Sequence, residues 1–186
     1  MKDKLAIFDL DGTLFDTFCV NYESYHQSLS EFGFELERKY FEEECYSRNY
    51  KVFLPSIVGQ DSVLIEQIHK RKIMLYPQFL NKASENTHLF NIIKSIQSNY
   101  FTAIATTATR QNTEDILSCF NKLDLFDLIV TGEDVKKTKP DPECFLKVME
   151  HFKASAKDTM IFEDSKIGIQ AALSTGASVF SVSFFV

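Results

Sequence analysis

From residue 84 onward the sequence alternates in a way that few folds can accommodate. Segments of helical periodicity at 84–98, 110–120, 142–152 and 165–174 are separated by short apolar runs. These runs are YFTAIA at 100–105, FDLIV at 126–130, TMIF at 159–162 and the stretch at 178–182. Each is too brief for a helix and too continuously apolar for a strand with one wet face, so each reads as a strand buried on both sides. Strands separated by helices of this length predict an α/β fold built on a doubly wound parallel sheet. KLAIFD at 4–9 opens the chain in the same manner.

Between that opening strand and the others, the pattern is helical. Tyr22, Tyr25, Leu29 and Phe32 recur at helical spacing, Gly33 closes the run, and Asp16 or Thr17 is placed to cap its start. Further helices are predicted at 38–54 and 61–76, with Pro55 and Gly59 between them. The expected organisation is a core of residues 1–15 and 81–186 with a helical insertion at 16–80. An apolar content of 45% supplies a sizeable core. A net charge of −6 lacks the basic face of a nucleic-acid binder. The four cysteines, Cys19, Cys45, Cys119 and Cys144, form no CxxC pair and read as free thiols in a reducing cytoplasm. The start is no signal peptide, because Asp9 and Asp11 cut its apolar run short. Residues 167–186 carry no charge, but Gln170, Gly168, Gly176 and the interspersed hydroxyls read as a buried helix, a break and a strand. No membrane partner is expected. The closing Phe184 and Phe185 are placed to pack on the core or on a partner.

Ligands of such sheets bind at the carboxyl ends of the strands. The first strand ends in Asp9 and Asp11, the second in Thr106 and Thr107. The third is followed by Thr131-Gly132-Glu133-Asp134 and then Lys139, and the fourth by Glu163 and Asp164. Carboxylates crowded together repel unless a cation neutralises them, and an all-oxygen donor set selects a hard ion such as Mg²⁺. Such an ion, with Lys139 and the hydroxyls, would cradle a phosphoryl group. One Asp could attack phosphorus to give an aspartyl phosphate. A second, two residues on, could protonate the leaving oxygen and later activate water. Asp9 takes the first role, and Asp11 the second, carried on the turn that Gly12 permits.

These residues resemble the haloacid dehalogenase superfamily. Asp9-Leu10-Asp11-Gly12-Thr13 is similar to its first motif, Thr106 to the second, Lys139 in TKPDP to the third, and Glu163-Asp164 in IFEDSKIG to the acidic fourth. The resemblance implies a Rossmann-like core, Mg²⁺ dependence and an aspartyl-phosphate intermediate. It implies metal binding by the Asp9 and Asp164 side chains, the Asp11 carbonyl, and Glu163 as ligand or support. It also implies that 16–80 is a helical cap that closes over the site. Dehalogenases of the superfamily lack an Asp at the position of Asp11, which points to phosphate-ester chemistry. The FEDSxxG form resembles sugar- and polyol-phosphate phosphatases and β-phosphoglucomutase. The mutase carries a cap histidine where this chain has Asn21, although its Ser-Arg pair is similar to Ser47-Arg48, which makes Arg48 a candidate substrate contact. The expected activity is therefore Mg²⁺-dependent hydrolysis of a small phosphorylated metabolite, a sugar or polyol phosphate first. The alternatives are a phosphomutase and a non-catalytic phosphate-binding module.

Other readings of these residues are weaker. A calcium loop would need Gly at its sixth position and Glu at its twelfth, where this chain offers Val20. Thr107 and Thr109 compete with Thr106 as hydroxyl donors. Lys136 and Lys137 read as solvated, Asp134 and Asp141 as turn or cap residues, Asp16 as a cap or hinge, and Cys19 as packing. None of the four histidines has a partner at a useful spacing.

Overall fold

A computed structural model of the protein describes residues 2–46 and 48–183. Ser47 of the Ser-Arg pair and the terminal Phe184 and Phe185 lie outside the described residues. In chain order the elements are β1 (Lys4–Phe8), β2 (Phe15–Asp16), α1 (Phe18–Glu31), α2 (Arg38–Tyr40, running into a π-helical turn at Phe41–Cys45), α3 (Tyr50–Val58) and α4 (Ser62–Leu75). Then follow β3 (Ser84–Glu85), α5 (Thr87–Ile96), β4 (Tyr100–Ala105), α6 (Arg110–Cys119), β5 (Leu128–Val130), α7 (Glu143–Phe152), β6 (Thr159–Glu163), α8 (Lys166–Leu173) and β7 (Ser178–Ser181). The chain divides into two compact units, Met1–Asp16 with Ser84–Val186, and Thr17–Ala83.

The first unit carries a parallel five-stranded sheet in the order β5-β4-β1-β6-β7. β1 lies at its centre, which is why Leu5, Ala6, Ile7 and Phe8 are all fully buried. Alternate strand residues, among them Leu5, Ile7, Ala103, Ala105 and Ile161, pack with Phe145, Val148 and Met149 of α7 and with Ala171 and Ala172 of α8. On the opposite face Phe8 stacks on Phe162 at 4.7 Å, and Phe162 on Phe180 at 5.0 Å. Register fixes what meets at the strand ends. Phe8 pairs with Ile104 on one side and Phe162 on the other, so Asp9 falls level with Ala105 and Glu163. Ala105 in turn pairs with Val130, which sets Thr106 beside Thr131. Side-chain alternation with a period of two then dictates which of these point into the same space.

The predicted helix at 84–98 begins later than its pattern suggests. Ser84 and Glu85 pair antiparallel with Asp16 and Phe15, and α5 starts at Thr87 behind an Asn86 cap. Asp16 thus lies in a strand, and Thr17 occupies the N-cap position of α1 without a capping side-chain bond, its hydroxyl receiving Asn21 Nδ2 at 3.1 Å instead.

The second unit is helical. Its core gathers Tyr25, Leu29, Leu36, Phe41, Cys45, Phe53, Leu54, Ile65 and Ile68. The expected helix at 38–54 is split. Its first half ends in the π-helical turn, Tyr46 is extended with ψ 139°, and Asn49 caps a new helix by accepting Lys51 N–H at 2.9 Å. Pro55, read as a break, sits inside α3, which stops soon after at Gly59. Asp61 caps α4 through Val63 and Leu64 N–H.

His69 of α4 stacks on Tyr50 with centroids 3.5 Å apart, and its Nδ1 lies 3.0 Å from Tyr25 Oη. Burial, reinforced by nearby Lys72, lowers its pKa from 6.5 to about 4. Between those values the unfolded chain binds the proton that the folded one refuses. The stability of the neutral ring is therefore complete above about 6.5 and is lost as pH falls toward 4. We expect a loss of up to about 3 kcal/mol on this account. His69→Phe, which keeps the stack on Tyr50, should flatten that part of the profile in denaturant melts. An unaltered profile in the variant would remove His69 as its source. Among the described residues no helix is long and apolar enough to cross a membrane.

Candidate active site

Asp9 is the first residue beyond β1, and its N–H continues the sheet by donating to Phe162 O at 3.0 Å. Its side chain is therefore aimed by the most deeply buried strand of the fold. It is only 6% exposed, and its Oδ1 accepts from Lys139 Nζ at 2.6 Å. The same ammonium donates to Glu163 Oε1 at 2.7 Å and to Ala105 O at 3.0 Å. All three of its protons are placed. Burial opposes the lysine's charge, but Asp9 and Glu163 outweigh it and hold the group well above its ordinary range. Asp9 is pushed well above the ordinary carboxyl range, mainly by burial, with Lys139 drawing it back.

Glu163, grouped with the metal ligands in the sequence, is 1% exposed and has both oxygens engaged. Oε1 takes Lys139, while Oε2 takes Ser165 N–H at 2.8 Å and Ser165 Oγ at 3.1 Å. Its carboxylate lies against the first turn of α8. A Cβ added at Gly168 would sit 1.7 Å from Oε1.

Asp164 turns toward the opening motif. Its Oδ1 accepts from the fully buried Thr13 hydroxyl at 2.7 Å. Its Oδ2 lies where a side chain on Gly12 would begin, 2.2 Å from the ideal Cβ position. Gly12 has φ +91°, so glycine is required there both for the turn and for the contact. Burial pushes Asp164 up to about 6, against the pull of Thr13. Asp11 bridges to Phe15 within this turn.

Thr106 leaves β4 with its N–H on Val130 O at 3.0 Å, and its Oγ1 accepts Ala108 N–H at 3.0 Å. Thr107 is exposed, and Thr109 is the N-cap of α6. Asp134 is a turn residue that accepts Thr131 N–H and Oγ1 and Arg110 Nη2. Asp141 accepts Glu143 N–H, and Lys136 and Lys137 are exposed. Arg48 belongs to the helical unit, where it is exposed and paired with Glu44 at 3.1 Å.

The structure thus brings Asp9, Lys139 and Glu163 into direct contact and ties Asp164 to the Asp11–Thr13 turn. Two buried carboxylates share one ammonium, and the Asp164 carboxylate adds further negative charge nearby. The excess is negative, all the donors are oxygen, and the Gly12 turn sets a main-chain segment against Asp164. A hard divalent cation fits this set. Among the described residues no three acidic, histidine or cysteine side chains form a metal cage by themselves.

Two participants escape sequence reasoning. Ser165 looks like an ordinary helix cap, and Thr13 like a turn residue. Within the helical unit, Lys72 belongs to a basic run, HKRK, of a kind that usually lies in solvent. It is instead 4% exposed, donating to Asn21 Oδ1 at 2.7 Å and lying 4.5 Å from the Tyr76 ring centroid.

Comparison with known proteins shows the family. Residues 6–182 match the family model described as haloacid dehalogenase-like hydrolase. A phosphorylated carbohydrates phosphatase of Thermotoga maritima is 29% identical over 184 residues, covering 92% of this chain and 81% of the relative. A fructose-1-phosphate phosphatase of Escherichia coli is 24% identical over 177 residues, covering 95% and 94%. The crystal structure of the protein CbbY from Rhodobacter sphaeroides, in complex with phosphate, superposes with a TM-score of 0.88 over 100% of this chain and 88% of its own. At 20% identity, that likeness shows the fold.

Proposed function

We propose, from the premise that the chain belongs to the haloacid dehalogenase-like hydrolase family, that it is a phosphatase of small phosphorylated metabolites, sugar or polyol phosphates first. The observation that carries this reading is the buried contact between Asp9 and Lys139 at 2.6 Å, at the end of the central strand. A carboxylate held there beside a fixed cation is a nucleophile matched to a phosphoryl group.

In this reading an Asp9 oxygen forms a bond to phosphorus while the ester oxygen departs with a proton from Asp11. Asp11 then takes a proton from water. The resulting hydroxide displaces Asp9 and releases inorganic phosphate. Lys139 and the Thr106 and Thr107 loop would hold the equatorial oxygens and offset their charge. Glu163 would keep Lys139 aimed and charged, in support of the ligands proper. Asp9, Asp164 and the Asp11 carbonyl would hold Mg²⁺, which when bound supplies charge neutralisation at the phosphoryl oxygens.

Asn21 supports hydrolysis over the mutase alternative. It occupies the position of the mutase histidine, its amide bonded to Thr17 and Lys72, and an amide cannot act as a general acid or base at neutral pH. Arg48 remains a proposed substrate contact. The free thiols of Cys19, Cys45, Cys119 and Cys144 support a cytoplasmic location.

A panel of sugar, polyol and glycolate phosphates, assayed with Mg²⁺ and with chelator, tests the proposal. Phosphate release that requires Mg²⁺ is expected. Isomerisation of a hexose 1-phosphate without free phosphate would replace phosphatase with mutase, and Mg²⁺ binding with no turnover would favour the non-catalytic module.

A further inference from the structure

We propose that Asn86 is a positioning residue for phosphoryl transfer, clamping the Asp11–Thr13 turn so that Thr13 can hold Asp164. The proposal rests on the reading of Asp164 as a metal ligand.

Asn86 follows β3 and caps α5, its Oδ1 accepting Leu89 N–H at 3.1 Å. Capping alone would be served equally by Asp or Ser. What capping leaves unexplained is the rest of the residue. The side-chain nitrogen donates to Thr13 O at 3.2 Å, and the backbone N–H donates to Leu14 O at 2.8 Å. One residue therefore grips two successive carbonyls of the opening motif.

The gripped turn also closes upon itself. Leu14 and Phe15 both donate to Leu10 O at 3.0 Å, and Gly12 donates to Phe15 O at 2.7 Å. On this turn sit both features that fix Asp164, namely the Thr13 hydroxyl on Oδ1 and the Gly12 backbone packed against Oδ2. A shift of the turn by about an ångström would break the 2.7 Å hydrogen bond, and a smaller one would weaken it. Outer partners that orient metal ligands are worth about tenfold or more in metal affinity. Asn86 thus acts two bonds away from Asp164, through Thr13.

Asn86→Asp separates the two roles. It keeps the cap acceptor and replaces the donor facing Thr13 O with a second acceptor. Asn86→Ser retains a cap without added charge and serves if the first variant folds poorly. Calorimetric titration of metal-free protein with Mg²⁺ is the direct readout. We expect Asn86→Asp to weaken Mg²⁺ binding about tenfold with little change in melting temperature, and turnover to recover at saturating Mg²⁺. Thr13→Val should weaken binding similarly, Thr13→Ser should restore it, and the Asn86→Asp/Thr13→Val double variant should be no weaker than Thr13→Val alone. Unaltered Mg²⁺ affinity in both Asn86 variants, or multiplying losses in the double variant, would overturn the role of Asn86 while leaving the phosphatase reading intact. Failure of the wild-type protein to bind Mg²⁺ would overturn both.

Discussion

Asp9→Asn is expected to lower turnover at least about 10³-fold without lowering the melting temperature. The amide cannot attack phosphorus, so the covalent route is lost. The fold has little reason to suffer. Asparagine Oδ1 can still accept from Lys139, and that ammonium keeps Glu163 and Ala105 O. Wild-type Asp9 is a desolvated carboxylate in an acid-rich site, held above its ordinary range chiefly by burial. Removing its charge brings the cluster nearer to neutrality. Phosphate release and thermal melts on one preparation check both halves. Turnover within tenfold of wild type would overturn Asp9 as nucleophile.

Lys139→Met should behave in the opposite way with respect to stability. It removes the one ammonium that faces Asp9 and Glu163, at 2.6 and 2.7 Å, and leaves buried carboxylates facing each other. Breaking a buried pair in this way costs about 3–5 kcal/mol, and turnover should fall with it. The pH dependence carries the diagnosis. Without Lys139, which draws it down, the Asp9 carboxyl lies further above its unfolded value, so the folded protein holds more protons than the unfolded chain. Its stability should then rise as pH falls from 8 toward 5. Denaturant melts at several pH values would show this, and a variant as stable as wild type at pH 8 would contradict the buried triad.

Much of the architecture was legible because burial is written in composition. The runs LAIF at 5–8 and MIF at 160–162 are apolar throughout, which suits strands covered on both faces. The acids that end them could be assigned to one place because strand ends converge. What the sequence could not convey is who holds whom. Nothing in a linear reading pairs Lys139 with Asp9 or hands one oxygen of Glu163 to Ser165. Glu163 and Asp164 are adjacent acids that look interchangeable, yet strand alternation sends them to different partners. Ser84 and Glu85 carry no strand signal, since their pairing with β2 is decided by tertiary closure. The π-helical turn at Phe41–Cys45 and the retained Pro55 are equally silent, because apolar spacing barely distinguishes neighbouring helical pitches. Lys72 hides in a basic run whose other members are partly or fully exposed.

The contact between Gly168 and Glu163 bears on how this protein can be engineered. Replacing a mid-helix glycine with alanine is a routine route to thermostability, with a gain of up to about 1 kcal/mol. At Gly168 that route is closed, since the new methyl would occupy the space of the carboxylate that anchors Lys139. Helix α8 keeps a weak point in its first turn so that an acid can lie against it. A library selected for heat resistance alone would run into this position, and one selected for folding and turnover together should return glycine there every time.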